Sequence, residues 1–254
     1  MNIRKIALRV LEKLAFDIRI RNPWSGNVLH LNTFMHKSYW FYGRRREQSV
    51  MKAFERLISK QDVVIEVGGH IGYLSQYFSS LVGQQGRVIV FEPGSNNIPY
   101  IVKNTEGLPN VDLLLKGVSN FSGTAIFYEE NITGQTNSLD GNFSGAEAVA
   151  KSHYREAEKI QNKISVTTLD DYIQSAKILP NFLKIDVEGC DLKVLQGASE
   201  CLKSCRALMV EATEDREAIV QELKNAGFQV LNEDFTEFSK NSCSENLLAI
   251  RPER

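Results

Sequence analysis

The chain has 254 residues, 43% hydrophobic and 24% charged, with a net charge of -1; that length and balance suit one soluble α/β domain with a substantial core. The charge is uneven: residues 1–60 carry thirteen Lys/Arg against four Asp/Glu, so the remainder is acidic. An acidic main body argues against a whole-protein nucleic-acid binder, which shows the reverse distribution.

In chain order, residues 3–18 set Ile3, Ile6, Ala7, Val10, Leu11, Leu14 and Ile18 at helical spacing with basic residues opposite, which predicts an amphipathic helix. Such a helix either packs on the domain or lies in the interface of an anionic membrane. Arg4, Lys5, Arg9 and Lys13 interrupt it, so neither a spanning segment nor a signal peptide is expected, and the expected compartment is the cytoplasm, with peripheral membrane contact as an option. The basic aromatic run YWFYGRRRE (39–47) leads into a helical segment near 50–59. Residues 1–60 thus read as a helical, basic extension and 61–254 as the main domain.

Strand and helix then alternate: strand 62–67, helix 71–82, strand 87–92, helix 95–105 and a short strand 111–115. This order predicts a doubly wound, mostly parallel seven-stranded sheet with helices on both faces. Residues 123–129 read as an extra strand. Residues 130–163 form an insertion, Gly/Asn/Ser-rich at first and helix-prone later, too polar in 130–145 for core contacts and expected to act as a mobile flap over an acceptor. Strand 164–167, helix 169–175, strand 182–187, helix 191–203, strand 207–212, helix 215–225 and two antiparallel closing strands near 227–232 and 246–251 follow.

Four of the apolar runs end in an acid: VVIE at Glu66, VIVFE at Glu92, FLKID at Asp186 and ALMVE at Glu211. Ligands of open α/β sheets bind outside the carboxyl ends of the strands. Carboxylates there suit a ligand with hydroxyls, an amine or a positive charge and repel polyphosphates, the profile of S-adenosylmethionine. The loop EVGGHIG (66–72) supplies glycines for a tight turn and a close backbone approach. Glu92, twenty residues past Gly72, stands where an acid accepts hydrogen bonds from ribose hydroxyls. A dinucleotide fingerprint fits poorly, because Val67 occupies its first glycine position.

The cysteines (Cys190, Cys201, Cys205 and Cys243) have no Cys-x-x-Cys or paired-His spacing, so zinc and a disulfide framework are not indicated. His30, His36, His70 and His153 are scattered, with His36 and His153 retained as candidate bases because the segments that carry them could cover the site.

The runs VVIEVGGHIGYLSQYF, VIVFEPGSNNIPYIVKN, VTTLDDYI and FLKIDVEGCDLKVLQGA together resemble the FkbM family of S-adenosylmethionine-dependent methyltransferases over about residues 39–211. The resemblance implies a class I methyltransferase fold, S-adenosylmethionine as cofactor, and O-methylation of sugar or polyketide-type hydroxyls. The sequence departs from the family pattern at Glu66, His70, Cys190 and Asp191. The expected cofactor contacts are Glu66, Gly68, Gly69, Gly72, Glu92, Val118 and Ser119.

For the chemistry, Asp186 and Glu188 at the end of the 182–187 strand are the candidate catalytic acids, orienting the acceptor or taking its proton. The competing structural reading pairs Asp186 with Lys184, which shares its strand face. Magnesium held by Asp186, Glu188 and Asp191 is the weaker alternative, and no metal is assigned. The expected partner is a small-molecule or glycan hydroxyl, without nucleic acid. The other readings are a methyltransferase of the same fold acting on RNA or protein, a non-catalytic binding module and, more distantly, a nicotinamide-dependent oxidoreductase.

Overall fold

The computed structural model describes residues 3–239, 242 and 244–252; Cys243 lies outside them. The chain runs α1 (Ile3–Lys13), β1 (Asp17–Arg21), β2 (Val28–Asn32), α2 (Lys37–Tyr42), α3 (Gln48–Leu57), β3 (Val63–Val67), α4 (Tyr73–Val82), β4 (Arg87–Phe91), α5 (Ile98–Thr105) and β5 (Val111–Leu114). It continues with β6 (Gly117–Val118), β7 (Gly123–Glu130), α6 (Gly145–Ser152), β8 (Lys159–Thr167), α7 (Leu169–Ala176), β9 (Phe182–Ile185), α8 (Asp191–Gln196), α9 (Ser199–Ser204), β10 (Ala207–Glu211), α10 (Arg216–Asn225), β11 (Gln229–Asn232) and β12 (Asn246–Ile250).

Seven strands form the main sheet in the order β11-β12-β10-β9-β3-β4-β5. The pairs β10/β9, β9/β3, β3/β4 and β4/β5 are parallel, while β12 runs antiparallel to both β10 and β11. The order reverses between β3 and β9, and that switch point opens a crevice at the carboxyl ends of those strands. Period-two alternation divides the core between the two faces. Ile65, Val67, Ile89 and Phe91 face the cluster with α7, α8, α9 and α10, whereas Val64, Val88, Val90 and Phe182 face the cluster with α3 and α4.

Two motifs that carried the resemblance have structural work. Thr168 caps α7, its Oγ1 accepting from the Asp171 N–H at 3.0 Å, a standard side-chain cap. Asp170 reaches across to the first turn of α9, its carboxylate accepting from the N–H groups of Glu200 and Cys201 at 2.9 and 2.8 Å. TLDDYI is therefore a double helix cap.

The structure corrects four local expectations. The first helix ends at Lys13, because Asp17–Arg21 alternates Ile18 and Ile20 with charged residues and pairs with β2 in an antiparallel hairpin. Leu29 and Leu31 of that hairpin, with Met51 and Phe54 of α3, are fully buried beside the sheet, so residues before 60 add a β-hairpin and part of the core to the helices expected there. The helix expected over 191–203 breaks into α8 and α9 around Gly197, where a Cβ would stand 2.3 Å from the Ser119 carbonyl oxygen. Residues 159–163, read as helix-prone, begin the nine-residue strand β8, which pairs with β7 in a separate three-stranded sheet.

Residues 130–145 also depart from a loose flap. Ile132, Thr133, Ser138 and Phe143 are buried. The Glu130 carboxylate accepts from the N–H groups of Ile132 and Thr133 at 2.7 and 2.9 Å, and Ser138 exchanges backbone hydrogen bonds with Tyr128. Polar composition misled because the polar groups satisfy one another inside the fold. Hydrogen exchange on the ligand-free protein should therefore show slow amides at Ile132, Thr133 and Ser138; exchange at the rate of an open chain would contradict this packing.

Candidate active site

At the switch point lies a cavity of about 340 Å³ whose walls include Gly68, Glu92, Val118, Asp186, Glu188 and Glu211. Strand register places these groups together: Val67 is opposite Ile185, so the Gly68 turn meets Asp186, whose N–H donates to the Val67 carbonyl at 3.0 Å. Gly68 sits at φ +88°, and an added Cβ would stand 1.9 Å from the Asp186 carbonyl oxygen. Only glycine combines that conformation with that contact.

Glu92 is 4% exposed. Its Oε1 accepts from the Gly94 N–H at 2.8 Å and from Asn97 Nδ2 at 3.2 Å, while Oε2 accepts from the His70 N–H at 2.7 Å. A carboxylate offers about four acceptor positions, so one on Oε2 remains for a ligand hydroxyl. Burial, only partly offset by these bonds, pushes its pKa up to about 7.

Other expected contacts lie behind the wall. Glu66 is buried, accepts from Ser75 Oγ at 2.6 Å, and has its pKa pushed by burial to about 8. A Cβ on Gly69 would meet Val90 and Ile101, and one on Gly72 would meet Ile101 and Asn104; both glycines serve packing of the loop and α4. Ser119 is buried against Gly197, its N–H donating to the Thr167 carbonyl.

Asp186 and Lys184 unite the two readings of the sequence. Lys184 Nζ, with a side chain only 6% exposed, donates to Asp186 Oδ2 at 2.7 Å, yet the Asp186 side chain is 37% exposed and borders the cavity. Burial alone would lower the Lys184 pKa, but Asp186 and Glu66 beside it more than offset that and raise it. Glu188, at φ +54°, is raised well above the carboxylate range by burial and then by Asp186. Glu211 is raised by Asp186 and by burial, and its Oε2 is buried without a hydrogen-bond partner.

Among the described residues, Asp186, Glu188 and Glu211 bring carboxylate oxygens within 4.8 Å of one another. This replaces the expected grouping with Asp191, which turns away to accept from the Val187 N–H at 3.1 Å. Glu211 was visible in sequence as one of the four acid-ended strands, but the pairing of β10 beside β9 was needed to bring it to Asp186. Asn97 was missed, and Arg46 was singled out only within the basic run 39–47, as part of a possible phosphate clamp; both line the cavity, and Arg46 Nε and Asn97 Oδ1 are buried without partners.

Neither retained histidine lines this cavity. His36 is fully buried, its Nδ1 accepting from the Asn32 N–H at 2.9 Å, and burial lowers its pKa to about 3. His153 lies in a second cleft. His70 does border the main cavity, bonded to Tyr39 Oη at 2.8 Å, and burial lowers its pKa to about 3, so it is a neutral ring.

Burial of the acids has a consequence for stability. An acid raised from 4.5 when unfolded to about 8 when folded, as Glu66 is, contributes stability fully present below the lower value and lost as pH rises through the upper one. The histidines oppose this only below their ordinary 6.5, since their folded values are lower. Between pH 6.5 and 8, the ligand-free protein should lose on the order of 1–2 kcal/mol through Glu66. Denaturant melts across that range check it, and Glu66→Gln should flatten the slope; a rise in stability would contradict the buried acid.

The cavity can accept an adenosyl-type ligand on its own chemistry. It has the volume of a small-molecule site, a glycine-made approach at Gly68, one open acceptor position on Glu92, carboxylates for a cationic centre and unpartnered Arg46 Nε and Asn97 Oδ1 for polar groups.

Residues 66–230 match the family model described as Methyltransferase FkbM domain. The chain is similar to "Hexuronic acid methyltransferase AglP" of Haloferax volcanii, 25% identical over 169 residues that cover 66% of this chain and 62% of that one. It is also similar to "Methyltransferase 1" of Beauveria bassiana, 25% identical over 153 residues, 54% of this chain and 58% of that one. It thus spans less than two thirds of the length of either. Among solved structures, precorrin-6y C5,15-methyltransferase of Geobacter metallireducens aligns at a TM-score of 0.47 and 12% identity, over 82% of this chain and 89% of that one.

Proposed function

The chain belongs to the FkbM methyltransferase family, and from that premise we propose that it is an S-adenosylmethionine-dependent O-methyltransferase acting on a hydroxyl of a saccharide or another small hydroxylated metabolite. The observation that carries the reading is the convergence of Gly68, Glu92 and Asp186 on one cavity at the topological switch point. The similar "Hexuronic acid methyltransferase AglP" supports a sugar acceptor.

When bound, S-adenosylmethionine supplies a methyl group on a cationic sulfur. In this reading Glu92 would hold a ribose hydroxyl through Oε2, and the Gly68 turn would let the cofactor approach the backbone, with Val118 lining the same cavity. Asp186, held by Lys184 at 2.7 Å, would orient the acceptor hydroxyl toward the transferable methyl group and take its proton. Glu188, whose ionised form burial and then Asp186 disfavour, would help to orient the acceptor by a hydrogen bond.

A divalent ion on Asp186, Glu188 and Glu211 fits less well, because the Lys184 ammonium already supplies a counter-charge at Asp186 Oδ2. Activity unchanged by a chelator is the expected result. An RNA acceptor is disfavoured for a related reason: Arg46 is held inward by Ser38 and Glu47, and Arg44 stacks over Trp24, so they do not form a free phosphate clamp.

Glu92 is best tested from the ligand side, since removing its side chain would strand three N–H donors. A 2′- or 3′-deoxy ribose analogue of S-adenosylhomocysteine should lose one charge-assisted bond, about 1.5–3 kcal/mol or tenfold and more in affinity. Equal binding of both analogues and the parent would remove Glu92 from the cofactor site. The function itself is tested by a methyl-transfer screen over saccharides and glycolipids, expecting an O-methyl ether; transfer only to nitrogen would overturn it.

A further inference from the structure

A second cleft, about 520 Å³, opens beside the main cavity and has no part in the chemistry above. One side of it is apolar, made by Ala7, Leu8 and Leu11 of α1 with Met35, Trp40 and Val149, while Ser38, Ser152 and His153 add polar groups. Leu8, Leu11, Met35 and Val149 form a small cluster with buried Phe34, Ile132 and Ala150, which fixes α1 to the domain. The remainder of α1 stays outside, with Ile3, Ile6 and Val10 exposed, and Phe41 is exposed at the cleft. Among the described residues no helix is long and apolar enough to cross a membrane.

Two cations, Arg4 and Lys37, also line this apolar cleft, and among the described residues neither closes an ion pair with a carboxylate. Lys37 instead lies over the Phe34 ring and touches His153 Nε2. Positive charges without ion-pair partners among apolar walls complement an anion attached to an apolar chain. The cleft adjoins the catalytic cavity: Thr133 lines the cleft, Gly134 lines the cavity, and Gln135 borders both.

We propose that the cleft holds the apolar chain of a lipid-linked acceptor, with its anionic linkage at Arg4 and Lys37 and its hydroxylated head reaching over residues 133–135 into the main cavity. This rests on the methyltransferase reading and narrows its substrate to an anionic amphiphile. A soluble sugar would use the main cavity and leave the cleft without a role.

The probe is dodecyl phosphate below its critical micelle concentration, titrated calorimetrically into the whole 254-residue chain, with S-adenosylhomocysteine titrated in parallel. Saturable 1:1 binding is expected, weakened about tenfold or more by Lys37→Gln, as for loss of one charge-assisted contact. Leu8→Asp should abolish it while cofactor binding survives. Inorganic phosphate alone should not bind, and neutral decyl maltoside should bind more weakly.

If S-adenosylhomocysteine binds but dodecyl phosphate does not, the lipid proposal falls and the cofactor reading stands. If the amphiphile binds and the cofactor does not, the methyltransferase reading fails and the acceptor proposal falls with it. Binding unaffected by both substitutions places the amphiphile elsewhere and overturns the assignment. Flotation with anionic vesicles in the absence of monomer binding would show a membrane-docking face in place of a chain-binding cleft, and also overturns it.

Discussion

Asp186→Asn should lower methyl transfer per folded molecule by about a hundredfold or more, the usual scale of general-base help. The substitution keeps shape and removes the negative charge beside Lys184, whose side chain is 6% exposed. Removing one partner of a buried pair ordinarily costs about 3–5 kcal/mol. Here the loss should be smaller, because the Asp186 charge is the chief cause that raises the Glu211 carboxyl and, after burial, a further cause at Glu188. Once that charge is gone, either acid can ionise and face the ammonium. The expected result is therefore modest destabilisation, nearly unchanged cofactor affinity and a large loss of turnover. Melting temperature, S-adenosylhomocysteine affinity and rate on one preparation check all three. Normal turnover per folded molecule, even in a destabilised variant, would leave Asp186 a structural partner of Lys184 only.

Gly68→Ala is expected to be the most damaging single-carbon addition in the protein. The new Cβ would lie 1.9 Å from the Asp186 carbonyl oxygen, a backbone atom of β9's extension that has no rotamer to change, and φ is +88°. The left-handed conformation costs about 1–2 kcal/mol for a residue with a Cβ, and forced repacking adds about 1–3 kcal/mol. Parting the loop from β9 would also separate Glu92's partner, the His70 N–H, from the wall that carries Asp186. Both a lowered melting temperature and loss of S-adenosylhomocysteine binding should appear. A variant with native stability and affinity would mean the turn and β9 are not packed as described.

The contrast between these residues shows what sequence could carry. Apolar runs ended by acids located β3, β4, β9 and β10 and their carboxyl ends, because burial on both faces leaves a continuous hydrophobic run. Gly68 and Glu92 were legible from their place after β3 and β4. Glu66, Gly69, Gly72 and Ser119 belong to the same motifs but face Ser75, Val90, Ile101 and Gly197, since a motif gives proximity along the chain and not the direction of a side chain. Convergence of Glu211 on Asp186 depended on strand order, and the second cleft on how α1 docks, neither of which is written in local spacing. The hairpin at Asp17–Asn32 was present as alternation, but its strands are five residues each and adjoin a stronger helical pattern. TLDDYI, specific as a signature, turned out to cap α7 and α9.

The most direct test of the cofactor site is titration calorimetry of S-adenosylhomocysteine into the ligand-free wild-type protein. A saturable 1:1 isotherm is predicted, with one of the two deoxyribose analogues weaker by the one hydrogen bond that Glu92 Oε2 has left to accept. A folded protein that gives no saturable binding would contradict the account at its centre.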